Sequence, residues 1–197
     1  MNKQLMAVAL AAAAVIAAPA HATSVALAAD GSWTEFTVDN TVGPAFGNGW
    51  IDYTNGSPLS FSFTITAGNV GTLRVVDLGF AGDTFTITSN GGVLGTTSAV
   101  AVGNVDGSVE FDYAAALANP AYSHGVFTLG AGSYSLSGSL LQSVFDNYSN
   151  VDLDATSGAL SLTTAAAVPE ASNAALLLAG LAGAALLVRR RQSAKSN

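Results

Sequence analysis

The feature that most constrains this chain is a two-residue alternation that recurs from its middle to its end. Phe61, Phe63 and Ile65 interleave with Ser60, Ser62, Thr64 and Thr66, and Phe85 and Ile87 interleave with Thr84, Thr86 and Thr88. Val109, Phe111 and Tyr113 alternate with Glu110 and Asp112, and Tyr134, Leu136 and Leu140 alternate with serines. Leu160 and Leu162 repeat the pattern near the end. Successive side chains of a strand point to opposite faces, so this is the signature of half-buried antiparallel strands. Turn chemistry falls between the runs: Asn55-Gly56, Ser57-Pro58, Asn90-Gly91-Gly92 and Gly130-Ala131-Gly132. One helical turn is expected at Ala114 to Ala118, stopped by Asn119-Pro120. No amphipathic helix separates the strands, which excludes a parallel α/β fold. The expectation is an all-β, antiparallel two-sheet sandwich, jelly-roll-like, over residues 23–164.

The two ends follow different rules. Lys3, the apolar run Leu5 to Ala18 and the small residues of Ala20-His21-Ala22 form a secretory signal over residues 1–22. That signal implies the Sec translocon and signal peptidase as partners, with cleavage after Ala22 and Thr23 as the new N-terminus. A retained N-terminal anchor is the alternative. Near the other end, Ala174 to Val188 is unbroken Ala, Leu, Gly and Val, followed by Arg189-Arg190-Arg191 and Lys195. Fifteen residues of helix rise roughly 22 Å, short of the roughly 30 Å hydrocarbon core, and snorkelling arginines extend the reach. A basic stop directly after an apolar run places the end of the chain in the cytoplasm and the preceding domain outside. The expected division is therefore a linker at 165–173, a transmembrane helix at 174–188 and a basic tail at 189–197. A buried core helix is the competing reading of the same run.

In order, Val168-Pro169-Glu170-Ala171-Ser172, the apolar helix and the arginines resemble the PEP-CTERM sorting signal of Gram-negative bacteria that make exopolysaccharide. Pro169 and Glu170 match its motif, while Ala171 stands where the family usually has a second proline. The resemblance implies an exosortase, a membrane-embedded enzyme that cuts near the motif, with the present chain as its substrate. It also implies residence in the envelope or extracellular matrix, in association with exopolysaccharide. An uncleaved tail anchor is the alternative. Pro169 suits a processing site, because it holds Val168 extended and keeps the segment out of helix. The run Leu73 to Phe85, with Leu94-Gly95-Thr96-Thr97-Ser98 and Ser123-His124-Gly125, resembles a recurrent class of PEP-CTERM ectodomain to which no activity is assigned.

Charge narrows the partners. The whole chain carries a net charge of −7, yet its basic residues sit almost entirely in the two end segments. Between Thr23 and Ala167 there are twelve carboxylates and one basic side chain, Arg74. Such a domain repels nucleic acid and other anionic polymers and attracts cations. The absence of cysteine excludes a disulfide framework, a thiolate metal site and a cysteine nucleophile.

Candidate chemistry is sparse. Asp77 and Asp83 flank a glycine-hinged bend, and Asn150, Asp152 and Asp154 recur at every second position; either group offers hard oxygen ligands to Ca²⁺. Both also read as ordinary turn and strand-face residues. Trp33, Trp50, Tyr53, Tyr122 and Tyr148 are candidate sugar platforms where exposed, with Trp50-Ile51-Asp52-Tyr53 in a Gly/Asn-rich loop the best-placed; core packing is the commoner fate of such residues. His124 has no Gly-x-Ser-x-Gly elbow to serve, so no catalytic residue is assigned. The sequence thus reads as an exported, non-enzymatic sandwich that is structural or exopolysaccharide-associated and needs no cofactor. A carbohydrate- or Ca²⁺-binding module is the alternative, and a secreted hydrolase a distant one.

Overall fold

The computed structural model describes residues 22–42, 47–168 and 181. Its strands are β1 (Thr23–Ala26), β2 (Asp30–Asp39), β3 (Leu59–Ile65), β4 (Asn69–Phe80), β5 (Thr84–Ser89), β6 (Gly92–Thr96) and β7 (Val109–Glu110). After the short helix α1 (Tyr113–Ala118) come β8 (His124–Leu129), β9 (Gly132–Gln142), β10 (Phe145–Asp146), β11 (Val151–Asp152) and β12 (Ala155–Ala166). One sheet runs β1-β3-β9-β5-β6. The other runs β2-β12-β4, with β7 and β8 sharing the far edge of β4. Apart from β1, the order β3-β9-β5-β6 facing β2-β12-β4-β8 is that of a jelly roll. One pairing departs from the antiparallel expectation: β1 lies parallel to β3, with Thr23 opposite Leu59.

The alternation sorts side chains as strand geometry requires. Phe61, Ile65, Phe85, Ile87, Leu136, Leu160 and Leu162 are all buried between the sheets, joined by Phe36, Val38, Leu73 and Val75. Asn90 and Gly91 both have positive φ, 50° and 81°, the primed turn that matches strand twist in a β5–β6 hairpin. Helix α1 forms where expected and begins one residue earlier, at Tyr113, with the Asp112 carboxylate accepting from the Ala115 N–H. It lies on the outer face of the second sheet, where Ala116 and Leu117 pack with Val76, Leu78, Tyr122 and Ala159.

Two expectations fail locally. Val109 and Phe111 are exposed, because only Val109 and Glu110 pair with β4 and Tyr113 already belongs to α1. Two hydrogen-bonded residues cannot impose strand alternation on five. Trp50 is the larger departure, only 2% exposed. The segment around it stitches the two sheets together: its N–H donates to Gly138 O on β9, while the Ile51 N–H donates to Thr37 O on β2. The indole stacks on Phe36 at 4.0 Å and meets Phe61 edge-on at 6.0 Å. It occupies the space above Gly138, where a Cβ would stand 2.5 Å from two indole carbons. Trp50 is a core residue and not a sugar platform.

Among the described residues the last sandwich hydrogen bonds come from β12, which runs to Ala166, and from the Ala167 N–H to Gly68 O. Val168 beyond them is 88% exposed. Pro169, Glu170, Ala171, Ser172, Arg189, Arg190 and Arg191 lie outside the described residues, as do Ala20 and, except for Leu181, the apolar run 174–188. Among the described residues no helix is long and apolar enough to cross a membrane.

Candidate functional site

On β2 the inward positions are Phe36 and Val38, so Glu35 and Thr37 face outward. The β12 register sets Ser157 opposite Thr37 and Ala159 opposite Glu35. Glu35, Thr37 and Ser157 floor a groove of about 430 Å³ walled by Tyr53, Phe80, Phe111 and Asp39. A second concavity, of about 260 Å³, adjoins it and shares Glu35, Thr37 and Tyr53, adding Asp52, Thr34 and Leu59. Tyr53 therefore stands on the rim between the two, 75% exposed.

Each wall is braced from within its own loop. Asp52 accepts from the Thr54 N–H at 2.9 Å and from Asn55 Nδ2 at 3.2 Å. Its own carbonyl accepts from the Gly56 N–H at 2.7 Å, closing a turn that carries Tyr53 on its outside. The Thr54 N–H, the largest influence on it, holds the Asp52 carboxyl below its ordinary range. On the opposite wall Glu110 Oε1 accepts from the N–H groups of Phe111 and Asp112, leaving the Phe111 ring 65% exposed. Glu35 accepts a 2.9 Å hydrogen bond from the Tyr113 hydroxyl, and this bond raises the Tyr113 pKa. Tyr113 in turn stacks on Trp33 at 5.3 Å. The assembly is two exposed aromatic faces on braced backbone turns, above a floor of carboxylates and hydroxyls.

The other aromatic candidates separate. Tyr122 is buried and donates to Gly79 O and Ser108 O. Tyr148 is exposed but donates to Asp106 Oδ1, away from the groove. Trp33 is half-buried against Tyr113.

The structure brings Asp77 and Asp83 near each other but does not gather the proposed calcium ligands into one cation site. Asp77, fully buried, faces the inter-sheet core beyond Leu73 and Val75, with both carboxyl oxygens unpartnered. Burial, and then the Asp83 carboxyl beside it, push its pKa up to about 9. The N–H groups of Gly82, Asp83 and Ser123 lie near enough to favour the ionised form, yet none closes a hydrogen bond to it. Donors of that sign suit a carboxyl and would oppose a cation. Asp83, also buried, is raised to about 6 by burial despite accepting from the Val144 N–H at 2.8 Å. Asn150 and Asp152 are exposed on the β10–β11 hairpin, while Asp154 accepts from Asn40 Nδ2. Among the described residues no three His, Cys, Asp or Glu side chains gather where they could hold a metal. His124 is half-buried on β8, its Nδ1 without a partner.

Sequence reasoning found Tyr53 but missed Glu35, Thr37, Ser157 and Phe111 as its companions. The alternation of Glu35 to Val38 carried the signal for the first two; the β2–β12 register had none.

No protein-family model matches this chain, and no curated protein matches it. Among solved structures, the pre-peptidase C-terminal domain of a Bacillus anthracis collagenase aligns with 74% of this chain and 98% of its own, at 11% identity and a TM-score of 0.37. The Aeromonas hydrophila periplasmic inhibitor of g-type lysozyme, PliG, aligns with 73% of this chain and 97% of its own, at 11% identity and a TM-score of 0.32. Likeness at that level transfers neither a site nor an activity.

Proposed function

We propose that this is an exported, non-catalytic β-sandwich protein of the envelope or extracellular matrix that contacts polysaccharide through the groove beneath Tyr53. The observation that carries the reading is the placement of exposed Tyr53 between two concavities, with Phe111 on the facing wall. An aromatic face stacks on the apolar face of a pyranose, and carboxylates and hydroxyls at the floor pair with its ring hydroxyls. Affinity electrophoresis through gels containing neutral polysaccharides tests it. Retardation of the native protein, lost in Tyr53→Ala, supports the site; equal migration of both proteins through every polysaccharide refutes it.

The route to that location is part of the proposal. Export through the Sec translocon and removal of residues 1–22 by signal peptidase leave Thr23 first, and Thr23 is also the first residue of β1, bonded through its N–H to Pro58 O. Val168, 88% exposed at the edge of the described domain, directly precedes in sequence the Pro169-Glu170 motif at which an exosortase-like enzyme acts in this reading. Intact mass of the protein from cells and from medium tests the route. A species beginning at Thr23 and lacking Arg189 to Arg191 supports it, whereas a full tail in every fraction refutes processing.

A further inference from the structure

Resting on that reading of the groove, we infer that its ligand is a polysaccharide without acidic groups, and that uronate-, sulfate- or phosphate-bearing chains are excluded by the floor itself. The two concavities contribute three carboxylates, Glu35, Asp39 and Asp52, and among the described residues neither is lined by a lysine, arginine or histidine. Glu110 and Asp112 flank Phe111 on the far wall, extending the same sign of charge around the rim. The one basic side chain between Thr23 and Ala167 is Arg74. It sits on β4 opposite Ser161, two residues along from the Val76–Ala159–Glu35 row, so its backbone lies roughly 12 Å from that of Glu35 at about 4.8 Å per strand and 3.4 Å per residue. Arg74 lines neither concavity, and one cation about a Debye length (~10 Å at 0.1 M salt) from one of three carboxylates leaves the floor net negative.

The chemistry of recognition agrees with the charge. Anionic sugars are ordinarily held by bidentate arginine or by lysine, and the groove offers neither. A carboxylate is an acceptor only, so it matches the hydroxyl donors of a neutral sugar and repels an acid placed at the same point. The aromatic rims are indifferent to charge, since a sugar's apolar face is available with or without an acidic substituent. Exclusion is thus assigned to the carboxylates, which also accept from neutral hydroxyls, while the rings add affinity that does not depend on charge.

Matched polymers that differ only in charge provide the test: hydroxyethyl cellulose with carboxymethyl cellulose, and dextran with dextran sulfate, together with chitin hexasaccharide. Retardation is measured at low and at physiological salt. The expected result is binding to at least one neutral probe, with its acidic counterpart at least tenfold weaker at low salt. The double variant Glu35→Gln with Asp39→Asn should narrow that gap, read as the ratio of acidic to neutral retardation on the same protein, even as loss of the carboxylate acceptors weakens neutral binding. Asp106→Asn, distant from the groove, should leave the gap unchanged, and thermal melts confirm that each variant is folded. An acidic polymer bound as well as its neutral partner overturns this inference while leaving the glycan reading intact. A gap unmoved by the double variant also overturns it, because the exclusion then belongs to the charge of the whole domain. Failure of every probe, neutral and acidic, overturns both.

Discussion

Replacing Asp77 by asparagine should make the protein more stable at alkaline pH and leave it unchanged in acid. Asp77 sits in the inter-sheet core with no hydrogen-bond partner for either carboxyl oxygen, and its pKa is raised to about 9 by burial and by Asp83. In an unfolded chain the same group titrates near 3.9. Between those values the folded protein holds a proton that the unfolded chain has released, so stability falls as pH rises. The contribution is complete below the unfolded pKa and is lost on the way up to about 9. Each unit costs at most about 1.4 kcal/mol, so raising the pH from 5 to 8 removes up to about 4 kcal/mol through this residue. Asparagine has nearly the shape of the protonated acid and no proton to lose. Urea unfolding of native and variant proteins across pH 4 to 9 measures the difference directly. The variant should match the native protein near pH 4 and exceed it by a margin that grows with pH. A variant less stable than the native protein at pH 8 would mean that the N–H groups of Gly82, Asp83 and Ser123 hold an ionised carboxylate, and the reasoning would fail.

Further outcomes follow from the packing. Gly138→Ala places a Cβ 2.5 Å from the Trp50 indole and 2.8 Å from Thr86 O, so it should cost about 1–3 kcal/mol of overpacking in urea unfolding. Trp50→Ala should cost about 3–5 kcal/mol through the cavity it leaves, whereas exposed Tyr53→Ala should stay within about 0.5 kcal/mol of the native protein. Asp112→Ala removes the N-cap of α1 and should cost about 1 kcal/mol, read as a lower melting temperature. Because N–H donors surround the Asp77 carboxyl, millimolar Ca²⁺ should leave the melting temperature unmoved; a rise of several degrees abolished in Asp77→Asn would restore the calcium reading.

The parts of the fold that were legible in the sequence are those where one chemical rule acts locally. Phe61, Ile65, Phe85 and Ile87 declare their buried face by alternation, and Asn90-Gly91 declares a turn because both residues tolerate positive φ. The parts that were hidden depend on residues far apart in the chain. Trp50 and Tyr53 are near neighbours of similar chemistry, yet one is core and the other rim. What separates them is Gly138 on β9, which leaves room for one indole, and the Asp52 turn, which swings the next aromatic outward. The groove floor is hidden for the same reason: Thr37 and Ser157 meet only through the β2–β12 register. Asp77 and Asp83 misled in the opposite sense. Two carboxylates near glycines suggest a cation, but the backbone turns its N–H groups towards one of them and buries both.

The central claim is that the surface shared by Tyr53, Phe111 and the β2–β12 floor receives a sugar chain. Backbone NMR of the protein titrated with a neutral oligosaccharide that it retains in gels locates the contact residue by residue. Shift changes confined to the Asp52–Gly56 turn, Glu35, Thr37, Phe111 and Ser157, and absent in Tyr53→Ala, are the predicted result. Changes centred on the β10–β11 hairpin or on the outer face of β5 and β6, with the Tyr53 groove silent, would contradict it.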